Sequence, residues 1–233
     1  MKIKTVGDNK TLQEGQEILL KKEAEIVGLK LKAFNTQMNP HFVFNALNAI
    51  QQFITSENKK EALEYLSVFS KLIRFFLSYL EEETVILKDE INMLNWYLKL
   101  QTLRYHNQFQ YAIEVDKTQN AIQAKLPTSI LQTVIENTLE YAIFNQYKNL
   151  TLSLVFSISP LTIEVKIILT HNPHILKKIL YTPEYRESIL KWQDQIRLLN
   201  TLYNYNIEKH VTFIKTKTHV SGSTIILKLP NLA

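Results

Sequence analysis

The sequence predicts an α+β chain, with a bundle of long helices first and an α/β sandwich of helices on a mixed sheet after it. Two observations carry this. Up to about Tyr105, apolar residues recur at alternating spacings of four and three, as on the seams of packed helices. Beyond that point, runs rich in β-branched and aromatic residues alternate with helical stretches. With 233 residues, 45% of them hydrophobic, the chain has room for two modest domains, each with a core. The expected division is 1–106 and 107–233.

Taken in order, Leu20, Ala24, Val27, Leu31, Phe34 and Met38 form a first seam, of the kind seen in coiled coils. Asn39-Pro40 interrupts it as a cap and first-turn proline or as a kink. Val43, Leu47, Ile50 and Ile54 form a second stripe, and Ala62, Leu66, Phe69, Ile73, Phe76 and Leu80 a third. After the polar break at 81–84, Leu87, Ile91, Leu94 and Leu98 mark a fourth helix. The segment 110–115 reads as a strand, and Pro127 is expected to open a helix running to about Phe144. Runs at 150–157 and 161–169 flank Ser159-Pro160 as a hairpin. A loop from His171 to Tyr185, a helix over about 187–203, and strands at 211–217 and 223–229 complete the chain.

Composition narrows the function classes. There is no cysteine, which excludes disulfides and thiolate metal sites and suits a reducing, cytoplasmic setting. The apolar stretch Leu150–Leu169 is broken by Pro160, Glu164 and Lys166, so no membrane span is expected. The net charge of +5 comes from scattered lysines, which argues against a nucleic-acid face. His171 and His174 stand three apart without a third ligand, so no metal site is expected. Only four glycines are present, and Gly222 is the only one after Gly28.

Residues 37–50 read QMNPHFVFNALNAI. On a helix, His41, Asn45, Asn48 and Gln52 form one polar line, nearly opposite Val43, Leu47, Ile50 and Ile54. An imidazole there is well populated in its free, nucleophilic form near neutral pH, and Asn45 one turn on could fix its tautomer. The stretch resembles the signature of the LytS-like sensor histidine kinases. The likeness continues through LSVFSKLIRFFL (66–77), VILKDEINMLNWYLKLQTLRY (85–105), LPTSILQTVIEN (126–137) and SGSTIILKLP (221–230).

The resemblance implies that His41 is the phosphoacceptor of a helical dimerisation domain. It also implies a second domain of the GHKL (Bergerat) ATPase type, which uses ATP and Mg²⁺. Asn137, preceded by Glu136, matches the helix asparagine that helps hold Mg²⁺ and phosphate. Elsewhere the chain departs from the family. The adenine-reading Asp-x-Gly-x-Gly loop is replaced by Thr170-His171-Asn172-Pro173-His174, and the Gly-x-Gly-Leu stretch by Glu187-Ser188-Ile189-Leu190. Side chains at such positions block the close backbone approach that glycine allows around phosphates. The reading is therefore a homodimeric two-component protein with impaired ATP binding, a pseudokinase or phosphotransfer scaffold. Its partners would be a response regulator or another histidine kinase, with signals received from a membrane sensor chain. An active kinase using a divergent nucleotide pocket is the alternative.

Overall fold

The computed structural model describes residues 40–79, 82–116, 123–175 and 183–233. The seam from Leu20 to Met38 lies outside them. The described part opens with an antiparallel helix pair, α1 (Pro40–Thr55) and α2 (Lys59–Ser78). Asn58 caps α2 by accepting from the Glu61 amide at 3.4 Å. Strand β1 (Thr84–Ile86) then leads directly into α3 (Leu87–Arg104). His106 and Asn107, both at positive φ, reverse the chain into β2 (Phe109–Val115).

Strand β3 (Lys125–Pro127) pairs antiparallel with β1 as a separate two-stranded sheet. The Leu87 amide donates to the Ala124 carbonyl at 2.8 Å and fixes the start of α3 against this strap. Pro127 thus closes a strand, because its carbonyl side is held in the ladder with Thr84. The helix expected to open there, α4 (Ile130–Phe144), begins three residues later, after Ser129 in the left-handed region.

The main sheet has five strands in the order β2-β4-β5-β7-β6, with β4 (Leu150–Ile158), β5 (Thr162–Ile175), β6 (Glu208–Lys215) and β7 (His219–Pro230). The β2–β4 pair is parallel and the others antiparallel, giving the expected mixed sheet. Ser159 closes the β4–β5 turn by donating from its amide to Thr162, and Asn231 braces it by donating to the Ser159 carbonyl. Gly222 on β7 lies so close to β5 that an added Cβ would meet the Leu169 carbonyl oxygen. Helix α5 (Pro183–Tyr203) packs beside α4, where the Trp192 indole donates to the Ile130 carbonyl at 2.9 Å. Asn200 then pins the turn into β6 by bonding both the amide and the carbonyl of Ile207.

The core face of the sheet carries Leu152, Leu154, Phe156, Ile163, Val165, Ile167, Leu227 and Leu229, all buried. Burying such a side chain stabilises by ~1.5–3 kcal/mol, so this face and α4 form the molecule's main apolar reservoir.

Helices α1 and α2 differ from the expected pattern. α1 buries Phe42, Ala46, Ala49 and Phe53, one position away from the expected stripe, and leaves Leu47 and Ile54 exposed. The aromatic residues decide the register. Phe42 packs among Phe69, Phe76 and Tyr97 at centroid distances of 6.1, 6.5 and 5.9 Å, and Phe53 meets Tyr65 at 5.8 Å. Between them, Ala46 and Ala49 let the helices approach closely.

Candidate functional site

His41 is the second residue of α1, after the first-turn proline, whose fixed φ suits that position. In the helical register it aligns with Asn45, Asn48 and Gln52. Asn48 and Gln52 are exposed and Asn45 is half-buried. This row lies beside a stripe anchored by Phe42, so the aromatic packing sets the rotation of the helix that carries His41.

Asn137 and Glu136 sit in the middle of α4. Asn137 is buried, while Glu136 keeps part of its surface open. Burial pushes the Glu136 carboxyl up to about 8; neighbouring Glu140 adds to the shift and Arg104 opposes it. One helical turn beyond Asn137, Tyr141 crosses Tyr147 edge-on at 6.0 Å, with the two hydroxyls 3.4 Å apart. Tyr147 in turn lies over the buried His171 ring at 4.2 Å between centroids. The Nδ1 of His171 is 2.9 Å from the Asn172 carbonyl.

Sequence reasoning placed a loop from His171 onward, but β5 continues through Ile175. After an irregularity between Thr170 and His174 it resumes pairing, with His174 opposite Val220 and Ile175 opposite His219. The segment is held as strand because β7 is long enough to offer partners there, a tertiary effect that local composition does not reveal. The helix expected over about 187–203 is present and starts earlier, at Pro183, so Glu187–Lys191 lies in the second turn of α5, bridged internally by a 2.7 Å Glu187–Lys191 ion pair. The structure therefore gathers Asn137, Tyr141, Tyr147 and His171 into one neighbourhood of α4 and β5. Tyr141 was legible from sequence, in the Glu140-Tyr141-Ala142 run one turn after Asn137, whereas Tyr147, brought in by the turn after α4, was not.

Residues 29–109 match the family model described as histidine kinase. The chain is similar to the sensor protein LytS of Staphylococcus epidermidis (strain RP62A), 34% identical over 131 residues, covering 56% of this chain and 21% of that protein. It is also similar to the sensor histidine kinase BtsS of Escherichia coli K12, 33% identical over 147 residues, covering 57% and 25%. LytS of Bacillus subtilis (strain 168) is 34% identical over 125 residues, covering 53% and 19%. The chain thus spans about a fifth to a quarter of the length of these curated relatives. Among solved structures, the mycobacterial sensor histidine kinase MprB aligns with a TM-score of 0.43 and 10% identity over 64% of this chain and 97% of that one; a likeness this loose carries no argument about the site. Over residues 29–109, which include Pro40, His41 and Phe42 at the start of α1, the chain is thus similar to the histidine kinase family, and over about half of its length to the sensor kinases LytS and BtsS.

Proposed function

We propose that the chain acts in two-component signalling as a dimeric phosphotransfer module, with His41 as phosphoacceptor, and that its C-terminal half does not bind ATP with the affinity its family uses. Residues 1–106 would form the dimerisation and phosphoacceptor domain and 107–233 the ATPase-like domain, on the cytoplasmic side of a membrane sensor partner. Phosphate would reach His41 in trans, from an intact kinase or by reversal from a response regulator.

The observation that carries the nucleotide part is the β5 segment beside Asn137. Adenine recognition needs a fixed carboxylate there to accept from the amino group, and backbone N–H groups free to reach phosphates. Instead β5 stays in the sheet, and His171 and Tyr147 stack on each other. At the phosphate end, Ser188, Ile189 and Leu190 are inside a formed helix, whose amides are already used. Asn137 remains able to contact a Mg²⁺-bridged phosphate, but one such contact is worth about 1.5–3 kcal/mol. Micromolar affinity needs roughly 8 kcal/mol, so the deficit is large.

Titration calorimetry with ATP and Mg²⁺ tests this. No heat at micromolar concentrations is the expected result, whereas a micromolar dissociation constant restores the active-kinase reading. The phosphoacceptor part is tested separately, by incubating the protein with a phosphorylated response regulator and assaying acid-labile phosphate. Label is expected on the wild type and lost in His41→Gln; label that persists in the variant places the phosphate elsewhere.

A further inference from the structure

Strand β6 is the end strand of the main sheet, and among the described residues no other strand pairs with its outer side. Alternate backbone amides and carbonyls along its eight residues therefore face outward without a ladder partner. Natural sheets blunt such an edge with charge in mid-strand, with proline or by making it short. Here the centre of the strand, His210–Ile214, carries no acid, lysine, arginine or proline. Among its exposed residues His210 and Thr212 are polar, but Val211 is 46% and Phe213 57% exposed. Register explains why these two share a face. Val211 is opposite Ile225 and Lys209 opposite Leu227, so Lys209, Val211 and Phe213 stand on the side of the sheet that the helices cover. The cover reaches Lys209, whose ammonium lies over the Trp192 ring at 4.7 Å, and it leaves Val211 and Phe213 largely open.

Charge decides which partner fits. Lys215 and the nearby Lys217 are exposed at one end of the strand, with Lys209 at the other. The acid of this strand, Glu208, is already engaged by His210 at 3.5 Å and Lys228 at 3.8 Å. A second copy pairing antiparallel through β6 would bring Lys209 close to Lys215 of its mate and is disfavoured by like-charge repulsion. We propose that the β6 edge is a docking site for an extended acidic peptide segment. It would add as a sixth strand, its alternate apolar residues beside Val211 and Phe213 and its acids near Lys215 and Lys217.

The test uses the full chain and two fluorescein-labelled probes, an eight-residue peptide of alternating Glu and Val and its Lys/Val counterpart. Anisotropy is expected to show saturable binding of the acidic peptide alone, weakened about tenfold by the paired change Lys215→Glu and Lys217→Glu, both surface sites. Hydrogen exchange is expected to show slowing of β6 amides when the acidic peptide is bound, which charge attraction without strand addition would not produce. Phe213→Ser should weaken binding while leaving the exchange pattern of the free protein intact. Equal binding of the two peptides, no binding at millimolar peptide, or unchanged β6 exchange would each overturn the proposal. So would light scattering showing a dimer that Phe213→Ser alone dissolves, since that assigns the edge to a second copy.

Discussion

Glu90 shows what a single side chain can cost this fold. It lies in α3 with no exposed surface, and neither carboxyl oxygen meets a hydrogen-bonding partner among the described residues. Burial alone pushes its pKa up to about 8, so the folded protein holds the proton at neutral pH. The sign of the pH effect follows. Unfolded, Glu90 ionises near pH 4.5; folded, it resists until about 8. Its contribution to stability is full below 4.5, declines as pH rises through 8, and changes no further above that. Each pKa unit is about 1.4 kcal/mol, so the decline is on the order of a few kcal/mol. Glu90→Gln cannot ionise, and urea denaturation should show it gaining on the wild type from pH 5 to pH 9. A stability difference that stays constant across that range would sink the argument. No rule of sequence spacing revealed this residue: an acid in the first turn of a helix is ordinarily a favourable partner for the helix dipole, and only tertiary packing buries it. His41, Glu136 and Asn137, by contrast, are candidates that the sequence offers through a specific motif.

At the scale of elements, helices and strands were more legible than which face each one buries. The α1 case is instructive. Val43, Leu47, Ile50 and Ile54 have good helical spacing, but so do Phe42, Ala46, Ala49 and Phe53, and the second set won because its two rings find aromatic partners on α2 and α3. Two substitutions separate these faces. Ala46→Leu inserts volume where the site is 1% exposed, and should cost ~1–3 kcal/mol at any protein concentration. Leu47→Ser changes a 51% exposed position, and its effect on denaturation should disappear on dilution. A large concentration-independent loss from Leu47→Ser would return it to the core. In the sheet, Gly222→Ala should destabilise severely, by several kcal/mol, because its Cβ would collide with the rigid Leu169 carbonyl. Thermal unfolding measures it; a near-normal midpoint would mean that β5 and β7 can part locally. The extension of β5 past Thr170 was illegible for the reason that makes Gly222 matter, since pairing with β7 is a long-range contact.

For the whole molecule, the exposed apolar surface of the first two helices is the feature that one chain leaves unexplained. Phe44, Leu47 and Ile54 recur on α1 at spacings of three and seven, and Leu63, Leu66 and Leu77 on α2 at three and eleven, so each helix carries a second apolar stripe beside its buried one. Scattered exposed leucines need no account, but a second apolar stripe on each of two paired helices is surface that a lone chain would hold against water. A second copy offering the same pair would bury both stripes as a bundle, with two-fold symmetry matching each stripe to its counterpart. The predicted outcome is a dimer at micromolar concentration that Leu47→Ser, Ile54→Ser and Leu66→Ser together convert to monomer. All three positions are at least 45% exposed, so far-UV circular dichroism should stay unchanged while light scattering reports half the mass. A wild type that is strictly monomeric, or a triple variant that still dimerises, would refute the pairing. Loss of helical signal in the variant would instead place these residues in the core of the single chain and overturn the second stripe altogether.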